Sequence, residues 1–155
     1  MDLIKAYDRI DWTYLRFIFI QVGLDVEITN WIMACINSTV FVILINGYPT
    51  NFFSGTIGIR QSFPHSTYLF IRSIEGLSLL IKDAKYQRKI KGIKVTSNIF
   101  ISHLLFEDYV LIYGEGRFRG WNCFQEIMSF FCEASCIIAI SRQKYFLWIL
   151  MRRRM

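Results

Sequence analysis

Ile101-Ser102-His103-Leu104-Leu105-Phe106-Glu107-Asp108-Tyr109-Val110-Leu111-Ile112-Tyr113 is an apolar run of strand length, then two carboxylates, then a second apolar run. That order predicts two buried strands joined by a tight acidic turn, which holds a carboxylate at the edge of a sheet. Two readings of the turn are open. Its charges are solvated as in any surface hairpin, or they belong to a metal site, because a hard cation takes carboxylate oxygens held rigidly and partly shielded from water.

Working outward, Ile90 to Val95 and Phe100 to Phe106 read as strands before the turn. Arg117 to Ala134 reads as a helix after it, followed by a last strand-like run, Ile137 to Ile140. The chain opens with Asp2-Leu3-Ile4-Lys5-Ala6-Tyr7-Asp8-Arg9, the exit of a strand turning into a helix. Asp8 or Asp11 caps that helix, and Trp12, Leu15, Ile18, Phe19 and Val22 fall at helical spacing before Gly23 ends it. A second helix from Val26 to Ile36 carries Ile28, Trp31, Ile32 and Cys35 on one face. Thr39 to Ile45 is rich in β-branched residues, and Asn46-Gly47 is a strong hairpin signal before Tyr48 to Phe53. Gly55 to Pro64 is a loop whose glycines allow close backbone approach, and Pro64 suits the first turn of a helix running to Ala84. Strand, helices, hairpin, helix, two strands, helix and strand make an α+β chain. Asp2 then ends one strand and Asp108 lies in a turn between two others; spacing alone does not show that they meet.

With 155 residues, 54% hydrophobic and 17% aromatic, the chain is one domain with a real core rather than a disordered segment. A net charge of +6 favours an anionic partner, although Arg152-Arg153-Arg154 supplies part of it in a terminal basic tail, 151–155. Cys35, Cys123, Cys132 and Cys136 form no Cys-x-x-Cys pair and sit at no zinc-finger spacing from His65 or His103, so they read as reduced core cysteines of an intracellular protein. No secretory signal opens the chain, and the expected location is the nucleus or cytoplasm. Ile28 to Ile59 lacks charged side chains, but Asn30, Asn37, Asn46, Gly47, Pro49 and Asn51 interrupt it. It therefore reads as a buried helix end and a β-hairpin rather than a membrane span. Phe17, Phe19, Trp31 and Phe41 read as core, and His103 as a satisfied core histidine.

Four segments in this order resemble the reverse transcriptase of non-LTR (LINE-type) retrotransposons, particularly plant copies. They are Asp2 to Arg9; Val42-Ile43-Leu44-Ile45-Asn46-Gly47; Gly58-Ile59-Arg60-Gln61 with Pro64 and Tyr68-Leu69-Phe70; and Ile101 to Asp108. The resemblance implies a polymerase palm over residues 1–150, an antiparallel sheet backed by helices, without fingers and thumb. It implies two Mg²⁺ ions held by aspartates, an RNA template, a DNA primer and deoxynucleotides. By position Asp2 and Asp108 match the metal-binding catalytic aspartates, and Tyr7 the ring that excludes a ribose 2′-hydroxyl. Arg60 and Gln61 match the loop beneath the incoming nucleotide, and Lys144, in Ile140-Ser141-Arg142-Gln143-Lys144, a lysine near the triphosphate.

The chain departs from that family in ways that bear on activity. Where the family reads Ala-Asp-Asp this chain reads Glu107-Asp108-Tyr109, so a neutral phenol replaces the second aspartate and the second metal site is in doubt. Strand alternation aims Glu107 away from the site. Ser62 and Phe63 replace a glycine and an aspartate of the nucleotide loop. A degenerate copy, impaired or inactive as a polymerase, is the expectation. The alternatives are a non-catalytic nucleic-acid-binding remnant, resting on Lys82, Lys85, Arg88, Lys89 and Lys91, and a product with no selected function.

Overall fold

The computed structural model describes residues 1–61, 64–97, 99–114 and 116–140. Ser62, Phe63, Lys144 and the basic tail lie outside these.

A four-stranded antiparallel sheet is assembled from both ends of the chain: β1 (Asp2–Ile4), β8 (His103–Phe106), β9 (Tyr109–Ile112) and β10 (Ile138–Ile140), in the order β10-β1-β9-β8. One face is covered by helices, so alternate residues have opposite fates. Leu3 and Val110 are fully buried against the helical layer. Their neighbours Tyr109, Leu111, Leu104, Phe106, Ile138 and Ile140 are exposed, and the strands are half-buried rather than buried throughout.

The helical layer consists of α2 (Trp12–Gln21), α4 (Ser66–Tyr86) and α5 (Phe118–Ser135), with α1 (Ala6–Arg9) leading from β1 and α3 (Val26–Asn37) packed on α2. Helix α4 buries Leu69, Phe70, Ser73, Ile74, Leu77, Ile81 and Ala84, a single stripe at three- and four-residue spacing. Midway along it, a Cβ added at Gly76 would collide with the Tyr14 Oη, so the missing side chain lets α2 and α4 approach closely. The Tyr14 hydroxyl donates to the Ser73 carbonyl (2.7 Å), and burial pushes its phenol well above the ordinary range. Asp11 rather than Asp8 caps α2, accepting from the Tyr14 N–H at 2.8 Å, while Asp8 lies within α1. Val22 and Gly23 (φ 87°) end α2 as expected.

Several expectations are corrected. Helix α3 buries Thr29, Met33 and Ile36, whereas Ile28, Trp31 and Cys35 face solvent. The helix is apolar on more than one side, so periodicity does not choose the face. Phe17, Trp31 and Phe41 are exposed; of that aromatic group only Phe19 is core. None of the four free cysteines is fully buried: Cys35 and Cys136 are exposed and Cys123 and Cys132 half-buried. Thr39 to Phe53 forms an arm of two short ribbons, β2 (Val40–Phe41) with β5 (Phe53–Ser54) and β3 (Leu44–Ile45) with β4 (Tyr48–Pro49). Asn46 (φ 51°) and Gly47 (φ 84°) make the expected turn at its tip. A further ribbon pairs β6 (Ile93–Lys94) with β7 (Phe100–Ile101), leaving Ile90 as a buried residue outside any strand. No helix among the described residues is long and apolar enough to cross a membrane.

Candidate functional site

The acidic turn is where the sequence places it. Phe106 pairs with Tyr109, so Glu107 and Asp108 are the two turn residues. Glu107 has φ 52°, a conformation that costs a residue with a Cβ about 1–2 kcal/mol. Glu107 is therefore an exposed turn residue, not a strand residue whose direction follows from alternation.

Strand β1 runs alongside this hairpin. The Leu3 N–H donates to the Asp108 carbonyl at 2.8 Å and the Val110 N–H to the Met1 carbonyl at 2.9 Å. The backbone at Asp108 is thus bonded directly to the residue after Asp2. The register makes Asp2 and Tyr109 cross-strand partners, and direct partners share a face of the sheet. Asp2 is only 6% exposed, the one buried acidic residue among the described residues, while Asp108 is half-buried. Two aspartates from distant parts of the sequence thus lie close along the backbone at one end of the β1–β9 seam, and Tyr109 sits opposite Asp2.

A second group forms where α1 meets the loop before α4. The Tyr7 ring stacks on Phe70, centroids 4.3 Å apart and 21° between planes, which fixes a half-buried phenol five residues beyond Asp2. Its carbonyl accepts from the Ile59 N–H at 2.6 Å, and the Gly58 N–H donates to the Ile10 carbonyl at 2.8 Å. Trp12 Nε1 donates to the Gly58 carbonyl at 2.7 Å. Gly58 has φ 83°, and a Cβ there would lie 2.6 Å from the Asp8 carbonyl oxygen, so only glycine fits this crossing. Gln61 Nε2 donates to Asp8 Oδ1 at 3.0 Å, and the Ser66 hydroxyl donates to the Arg60 carbonyl. Arg60 and Gln61 themselves are exposed, on the wall of a groove of about 610 Å³ that also reaches Trp12, Cys35 and Phe41.

The sequence-derived residues therefore fall into two linked groups, Asp2 with Asp108 and Tyr7 with Arg60 and Gln61, while Lys144 is outside the described residues. The Asp8–Gln61 and Trp12–Gly58 bonds that set the loop have no sequence signature beyond Gly58 itself. Among the described residues no group of three or more His, Cys, Asp or Glu is placed to hold a metal ion. Two carboxylates suffice for one hard cation that keeps water or phosphate oxygens as its other ligands. They do not suffice for a pair of ions, and a phenol opposite Asp2 supplies no further charge.

His103, at the far end of β8, has both ring nitrogens engaged, Nε2 with the Ser78 Oγ at 3.0 Å and Nδ1 with the Ser102 Oγ at 3.2 Å. Burial, then the charges of Lys82 and Lys85, lower its pKa from the ordinary 6.5. It is a satisfied, half-buried histidine.

No family model matches the chain. It is similar to an uncharacterized mitochondrial protein of Arabidopsis thaliana, 43% identical over 68 residues, which is 43% of this chain. The match covers 56% of that relative's length.

Proposed function

We propose that the chain is the palm portion of a reverse transcriptase of the non-LTR retrotransposon type, with Asp2 and Asp108 as its metal-binding carboxylates and with activity impaired by Tyr109. The observation that carries this reading is the β1–β9 pairing. It brings together the two aspartates that motif order singles out, although most of the chain lies between them. An antiparallel sheet backed by helices on one face is the architecture the reading requires.

A divalent cation, when bound, offsets the charge that builds on phosphate oxygens as a primer 3′-hydroxyl attacks a nucleotide. Asp2 and Asp108 would hold it, Asp2 from a rigid strand and Asp108 from the turn. The Tyr7 ring, stacked on Phe70, would limit room beside a sugar, and Arg60 and Gln61 line a groove that begins at the adjacent Asp8. The Arg60 guanidinium carries the charge and fork geometry that suit a phosphate. Substrates of this reading are an RNA template, a DNA primer and deoxynucleotides, encountered inside the cell.

Primer extension on an RNA template, in Mg²⁺ and in Mn²⁺, tests the reading. The wild-type chain is expected to extend weakly, Asp108→Ala not at all, and Tyr109→Asp more than wild type, because it returns a carboxylate opposite Asp2. Extension undiminished in Asp108→Ala would remove the aspartates from the reading.

A further inference from the structure

Residues 82–94 hold six basic side chains and one acidic one, net +5 in a chain of net +6. The fold gathers part of this charge. Lys82 and Lys85 lie three residues apart on the last turns of α4 and so share a side of it, and Lys89 follows just beyond the helix end. All three are exposed, and Arg88 (φ 58°) turns the chain just beyond the helix. Among the described residues the ion pair formed is Arg72–Glu75, about two turns earlier on the helix, and none of these four cations has a carboxylate partner. Asp83, within the same stretch, accepts from Gln87 instead. Glu126 lines a shallow depression of about 500 Å³ together with Lys89 and Arg119.

One of the cations, Lys85, is also held in place. Lys85 Nζ donates to the Phe100 carbonyl at 3.0 Å, which leaves two of its three protons for an outside acceptor. Ser78, one turn before Lys82, fixes His103 on the edge strand beneath them. Burial first, and then the charges of Lys82 and Lys85, lower the pKa of His103.

We propose that Lys82 and Lys85 on the last turns of α4, with Lys89 just beyond its end, bind the phosphate backbone of a nucleic acid strand. Concentrated cations without carboxylate partners match a polyanion, and neutralising successive phosphates releases counterions. Tyr86, fully in solvent among these residues, gives a base a ring to stack on. An anionic membrane is disfavoured because a surface-lying helix needs an apolar face to insert, and that of α4 is already spent on the core. The inference does not rest on the polymerase reading. His103 and the turn at Glu107 are four residues apart on β8, about 13 Å, so the basic face and the carboxylates are separate surfaces.

The test is fluorescence anisotropy of a labelled single-stranded oligonucleotide against salt, with Lys82→Gln/Lys85→Gln/Lys89→Gln beside wild type. Circular dichroism checks that the variant is folded. The variant is expected to lose about tenfold or more in affinity and to flatten the log–log salt slope by about 2, near 0.7 per lost contact. The Lys→Arg triple variant is expected to bind as wild type. In parallel, oligonucleotide should raise the pKa of His103 read by NMR, with His65 as internal reference. An unchanged slope in the Gln variant, or stronger binding to phosphatidylserine vesicles than to the oligonucleotide, would overturn the proposal. Primer extension reads the carboxylates instead, so failure of one reading leaves the other measurable.

Discussion

The β1–β9 seam and the arm formed by residues 40–54 are both short antiparallel contacts rich in β-branched and aromatic side chains. In the seam, Leu3 and Val110 are about 1% exposed, because α2, α4 and α5 close over one face. In the arm, Val40, Phe41, Val42, Ile43, Leu44 and Ile45 are all exposed, since among the described residues no helix packs across it. Apolar pattern makes a strand; burial depends on which elements lie across it. The charged residues divide the same way, because the seam pairs the buried Asp2 with Tyr109 beside the turn residue Asp108, whereas the arm holds no charged residue.

The sharpest way to break the comparison is truncation in each region. Leu3→Ala is expected to cost about 3 kcal/mol and Leu44→Ala about 0.5 kcal/mol or less, read by urea unfolding. Equal losses would mean that the arm is packed as tightly as the seam. Glycines sharpen it next. Gly58→Ala meets the Asp8 backbone at 2.6 Å with φ 83°, whereas Gly47→Ala, φ 84°, meets nothing within 4 Å. The first is expected to cost about 3 kcal/mol and the second about 1 kcal/mol, the left-handed conformation being common to both.

Smaller effects come from single polar groups. The buried Thr29 Oγ1 has no hydrogen-bond partner among the described residues. Thr29→Val keeps the shape and removes an unmet polar atom, so a gain of about 1 kcal/mol is expected in the same unfolding experiment. The smallest effect is that of His103. Its folded pKa lies below the unfolded value of 6.5, so between the two the unfolded chain binds more protons and folding weakens as pH falls. The contribution is complete above about pH 6.5 and lost below the folded pKa. His103→Gln should flatten the pH dependence of stability in that window alone.

Much of the fold is legible in the sequence, since the helices announce themselves by periodicity and caps, and Asn46-Gly47 and Glu107-Asp108 mark their turns. The buried face of α3 is not, because Ile28, Trp31, Met33 and Ile36 offer more than one apolar stripe and only the position of α2 selects among them. The exposure of the arm is invisible for the same reason. At the site, Asp2 and Asp108 can be nominated from motif order, but their adjacency depends on strand register between distant segments. The Gln61–Asp8 bond depends on a loop crossing that only Gly58 hints at.

The most direct test of the carboxylate site is Mn²⁺ binding followed by electron paramagnetic resonance. One Mn²⁺ per chain is expected, lost in Asp2→Asn and in Asp108→Asn, and held about tenfold more tightly or better in Tyr109→Asp, where a third carboxylate joins the pair. Asn variants that bind Mn²⁺ as the wild type does would contradict the account.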